Sequence, residues 1–144
     1  MSRRLIAVAA GILSCGAAVF ARQSQDPAAR DRTTKDGVYA SAQADRGQAA
    51  FETLCSKCHA FAPWEKSGLN PDLAGSAFLE KWNGRPVLDV MTVIYTSMPN
   101  DGSAFLTEEQ AADLTAYILR QNGFPAGEQP LETGEAARRI TIVK

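Results

Sequence analysis

Cys55-Ser56-Lys57-Cys58-His59 constrains this 144-residue chain more than any other stretch. Two cysteines three positions apart close almost no loop, so a disulfide between them would stabilise little. Their worth has to be local chemistry. At the end of a helix, thiols so spaced project to one side, and a histidine follows at once. A zinc site would need about four ligands, usually with a second Cys or His pair. The chain has one histidine in all, and its third cysteine, Cys15, lies far upstream. A thioredoxin-like redox pair would want a surrounding βαβ pattern, and the other signals here are helical.

Cys-x-x-Cys-His is instead the pattern by which two thiols form thioethers with the vinyl groups of one haem. His59 is then the proximal iron ligand. The opposite face needs a ligand or stays open, and with no second histidine a methionine is the natural candidate. Met91 falls on the inward face of a helical period, where methionine is usually core. Met98 precedes Pro99-Asn100-Asp101-Gly102, a loop that can aim a sulfur across a haem face, and is preferred. Iron closed by His59 and Met98 has no position for a small-molecule substrate, so the expectation is an electron carrier and not an enzyme. An open distal face would instead suit a peroxidase or gas binder, but no distal base is visible.

Composition agrees. One domain is expected from the length, and the net charge of −1 with no basic stripe excludes a nucleic-acid partner. Arg3-Arg4 followed by the mainly apolar stretch 5–20 reads as an export signal cut after Ala21. The alternative is a retained membrane anchor through residues 5–21. The expected location is the periplasm. Residues 22–37 are polar, contain Pro27 and Gly37, and read as a flexible linker.

An ordered domain is expected over 38–123. A first helix from about Ser41 to Cys55 places Gly47, Ala50, Phe51 and Leu54 on one face. Glycine weakens a helix, so Gly47 points to a close packing approach. Residues 60–75 carry Pro63, Gly68, Pro71 and Gly75 and read as loop. A short helix over 76–83, a buried helix after Pro86, and a helix opened by the Thr107/Gln110 capping box complete about four short helices. Ala111, Leu114, Tyr117 and Ile118 form the last helix's inward face. Residues 124–144 read as a tail, with apolar Ile140–Val143 at its end.

CSKCH, Met98-Pro99 and a closing helix with Tyr117 together resemble the monohaem cytochrome c family, class I type, over about Val38–Gly123. The resemblance implies an all-α cytochrome c fold around one covalently attached haem c. It also implies that the first and last helices cross at Gly47 and Phe51 against Leu114 and Tyr117. By the same resemblance, Pro71 in Asn70-Pro71-Asp72-Leu73-Ala74-Gly75 accepts a hydrogen bond from His59 through its carbonyl, and Trp82 and Arg85 sit near the haem propionates. Val38-Tyr39, the run Phe78–Arg85 and Asn122–Gly127 are similar to cytochrome subunits associated with quinoprotein (PQQ) dehydrogenases. That likeness implies redox protein partners, with a dehydrogenase as donor and an oxidase or another cytochrome as acceptor.

Overall fold

The structure, a computed structural model, describes residues 31–61 and 71–144. The export signal with its Ala21 cut, the anchor alternative, Cys15, and Pro63, Gly68 and Asn70 lie outside the described residues. Among the described residues five α-helices dominate: α1 Ser41–Leu54, α2 Gly75–Trp82, α3 Val87–Ser97, α4 Glu108–Gln121 and α5 Gly134–Arg138. Two two-residue strands, β1 Arg32–Thr33 and β2 Ile140–Thr141, pair in parallel. No helix among the described residues is long and apolar enough to cross a membrane.

The helices start where local chemistry directs. At α4, Thr107 Oγ1 accepts from the Gln110 amide (3.2 Å) while Gln110 Oε1 accepts from the Thr107 amide (2.9 Å). That satisfies two donors the first turn would otherwise leave unpaired. Pro86 caps α3 with φ −60° and leaves Val87 as its first residue, so the strand-prone run Val87–Ile94 is helical. Tertiary burial decides this, since Val87, Val90, Met91 and Ile94 are all buried.

α1 packs chiefly against α4, and the crossing is made at Gly47. A Cβ there would overlap the Asp113 carbonyl oxygen and lie 2.6 Å from its carbon and 2.9 Å from Tyr117 Cβ. The glycine thus faces Asp113 and Tyr117, one position from the Leu114 that the resemblance implied. One turn on, the Phe51 ring stacks at 5.5 Å from Tyr117, and Phe61 closes the trio at 4.6 Å and 5.1 Å. Ion pairs Arg46–Asp113, which is bidentate, and Arg120–Asp45 flank the crossing, each with one partly buried and one exposed partner.

The linker expected through Gly37 is corrected over its last residues. Arg32–Thr33 pairs with β2, and Thr34–Asp36 forms a 3₁₀ turn in which Thr34 is fully buried. Composition misled because a two-residue strand has no period to read, and its partner lies over a hundred residues away. The tail is likewise built into the core: Leu131, Ala137, Ile140 and Ile142 are buried, and α5 and β2 pack against α3. The tail is fastened along its length. Tyr39 Oη donates to the Phe124 carbonyl (2.7 Å), Gly127 presses on Gly37, and the buried Gln43 amide exchanges two hydrogen bonds with the backbone of Leu131 (3.0 and 2.7 Å).

Gln43→Ala would strand a buried N–H and a buried C=O on Leu131. The expected loss is about 2–3 kcal/mol, read as a lower urea midpoint with unchanged slope. An unaltered midpoint would mean that the tail is not held there.

Candidate haem site

α1 stops at Leu54, and Cys55 caps it by donating its amide to the Phe51 carbonyl. The chain then turns: the amides of Cys58 and His59 both donate to the Cys55 carbonyl, at 3.0 and 2.9 Å. This turn brings Cys55, Cys58 and His59 to the wall of one cavity of about 590 Å³. Phe51, Leu54, Leu114 and Ile118 form its floor, α2 supplies Phe78 and Trp82, and α3 supplies Val90, Ile94 and, at its C-terminal end, Met98. An apolar chamber of this size with a few convergent polar atoms is the usual form of a cofactor site.

His59 is oriented by the chain beyond it. The Leu73 amide donates to the Ala60 carbonyl (3.1 Å), which brings Pro71 back beside the ring, and His59 Nδ1 lies 3.2 Å from the Pro71 carbonyl oxygen. A carbonyl can only accept, so Nδ1 carries the proton and Nε2 keeps its lone pair. That is the tautomer a metal-ligating histidine needs.

The two methionines part company. Met91 is buried in the core and does not line the cavity, whereas Met98 is half-buried and does. All four residues read from the sequence, Cys55, Cys58, His59 and Met98, are therefore brought together. Burial pushes the Cys55 thiol up to about 11, with Cys58 adding to the effect. An attacking thiol needs a lowered value, so Cys55 is poorly suited to begin disulfide exchange.

Arg85 is held beside Trp82. Its guanidinium stacks on Trp82 at 4.8 Å and pairs with Asp89 at 2.7 Å, and it does not line the cavity. Lys81 does, with its ammonium 5.0 Å from the Trp82 ring; nothing but its place beside Trp82 could have flagged it. Lys57, Asp72 and Asp101 also line the cavity. Hydrogen bonds from Ser103 hold the Asp101 carboxyl below its ordinary value, with Lys57 attracting it. Sequence reading also missed Asn122. It was legible as a helix end, yet its side chain accepts from the Gly75 amide (3.1 Å) and donates to the Leu73 carbonyl (2.9 Å). It thus ties the segment that follows Pro71 to α4.

Residues 42–118, more than half of the chain, match the family described as "Cytochrome C oxidase, cbb3-type, subunit III". The chain belongs to that family. It is thus a c-type cytochrome domain with the all-α cytochrome c fold, a family of electron carriers that hold haem covalently and work with redox protein partners. No curated protein and no solved structure matches the chain. The donor set fits the prosthetic group of this cytochrome family: two thiols, an imidazole with its outer nitrogen already engaged, and a thioether share one apolar cavity.

Proposed function

We propose that this cytochrome carries single electrons in the periplasm with one haem, held by thioethers to Cys55 and Cys58 and ligated by His59 and Met98. The observation that carries the reading is that His59 and Met98 line the same cavity while Met91 does not. Haem iron supplies the one-electron couple, and a thioether ligand raises its potential relative to two imidazoles. The protein's part is orientation and exclusion of water. Pro71 fixes the imidazole, the Met98 loop presents the sulfur, and Phe51, Phe78, Trp82 and Leu114 keep the chamber apolar.

With Met98→Ala, the methionine–iron charge-transfer band of the ferric protein is expected to vanish, the potential to fall, and ferrous protein to bind carbon monoxide rapidly at neutral pH. Met91→Leu should leave all three unchanged. Intact ligation in the Met98 variant would sink the assignment. Export predicts a mature N-terminus at Arg22; an uncleaved start found in the membrane fraction would favour the anchor.

The donor we infer is a quinoprotein-type dehydrogenase, on the likeness of Val38-Tyr39, Phe78–Arg85 and Asn122–Gly127 to the cytochromes associated with those enzymes. Rapid-mixing reduction by such an enzyme with its substrate tests it. Electron transfer no faster than that from an unrelated dehydrogenase would remove the donor and leave the carrier.

A further inference from the structure

The chain on either side of the matched residues 42–118 converges on one corner of the cavity. β2 and the residues after it lie between β1 and the turn Asn83–Pro86 that joins α2 to α3. The Gly84 amide donates to the Ile142 carbonyl (2.8 Å), and the Ile142 amide donates to the Arg85 carbonyl (2.9 Å). The Lys144 amide donates to Asn83 Oδ1 (2.9 Å). On the other side Thr34 Oγ1 accepts from the Val143 amide (3.2 Å). Thr34 and Ile142 are both fully buried. The corner so gripped begins at Trp82, which lines the cavity and carries the Arg85 guanidinium against its ring.

A turn of this kind, joining two helices by a few residues, would ordinarily open readily, because it lies at the frayed end of one helical ladder and before the start of the next. Here the Asn83 and Arg85 amides donate locally, to the Leu79 and Trp82 carbonyls, and the distant strand supplies the rest: the Ile142 carbonyl accepts from the Gly84 amide, and the Ile142 amide donates to the Arg85 carbonyl. The consequence falls on the cavity, since movement of Trp82 admits water to its edge. Water near a haem favours the ferric form, which carries one more positive charge, and lowers the potential.

We propose that β1, Thr34 and residues 140–144 act as a clip that fixes the Asn83–Pro86 corner and so holds Trp82 as a water-excluding wall, making Thr34 and Ile142 positioning residues for the redox potential. The proposal rests on the haem reading given above. It assigns the tail a part in setting the cofactor's environment as well as in stability.

The test uses the full-length haem-loaded protein with Thr34→Val, Thr34→Ser and deletion of residues 140–144. Valine keeps the shape and removes the acceptor; serine keeps the acceptor. In the valine variant and the deletion, the amides of Gly84 and Ile142 (Gly84 alone in the deletion) are expected to exchange with deuterium up to about tenfold faster. The potential should shift downward with the His/Met absorption bands retained. Serine should restore both. Faster exchange at an unchanged potential would overturn the proposal and leave the clip as a stabiliser only, as would unchanged exchange in the valine variant. Should the deletion fail to fold, the valine and serine pair decides alone. If the parent chain takes up no haem, the proposed function and the potential half of this proposal both fall. The exchange measurement would still decide whether the strand holds the corner.

Discussion

Gly47→Ala is expected to lower the stability of the haem-loaded protein by about 2 kcal/mol or more, against the direction that helix propensity alone would give. Alanine in place of a mid-helix glycine favours α1 by about 1 kcal/mol. The added methyl, however, would overlap the Asp113 carbonyl oxygen and press on Tyr117 Cβ at 2.9 Å. A side chain can rotate away from such a clash, but the backbone of α4 cannot, so the two helices must separate. Overpacking of that kind costs about 3 kcal/mol, and separation also loosens the rings of Phe51, Phe61 and Tyr117. The packing effect wins. For a domain of this size the melting temperature should fall by roughly 10 °C. A variant as stable as the parent would mean that α1 and α4 do not cross at this glycine.

Replacing Cys55 and Cys58 together by alanine is expected to abolish stable haem attachment and, with it, the folded domain. The cavity of about 590 Å³ is walled by Phe51, Leu54, Phe78, Ile94, Leu114 and Ile118. At roughly 24 cal/mol per Å³ of unfilled apolar volume, leaving it open would cost on the order of 10 kcal/mol. That is as much as the entire stability of an ordinary domain. The partly open mouth reduces the figure, but not enough to leave the empty domain stable. The variant should therefore be colourless in the pyridine haemochrome assay. It should also show weak helical circular dichroism, where a single Met98→Ala change keeps its helix content. A colourless double variant with native helix content would refute the claim that the cofactor is part of the core.

Much of this follows from short-range chemistry. The capping box at Thr107, the helical period of Val87–Ile94 and the spacing of Cys55, Cys58 and His59 involve residues within one or two turns. The patterns are readable locally, although at Val87–Ile94 it is burial of the patterned face that decides for helix over strand. The odd glycine at 47 announced a close approach for a related reason: nothing local justifies it. Choosing Met98 over Met91 was also possible from neighbours alone, because one is followed by a proline-containing loop and the other sits in an apolar period.

Other features had no local signature. Gln43 reaches Leu131, Asn122 reaches Leu73 and Gly75, and Thr34 reaches Val143. Each partner is set by chain path, and a polar residue looks the same in sequence whether it meets water or a distant backbone amide. Arg85 shows the converse, since its partners are local: Asp89 four residues on and the Trp82 face three residues back.

By itself the sequence determined the helical class, the thiol and imidazole chemistry and the thioether available to complete it, because these depend on residue type and near spacing. Only the tertiary structure decided that residues 32–37 and 124–144 fold against the core, through Thr34, Phe124, Leu131, Ala137, Ile140 and Ile142, and that the α2–α3 corner is held by the chain's last residues. Hydrogen bonds between segments a hundred residues apart depend on where the chain has been brought, and spacing along it carries no record of that.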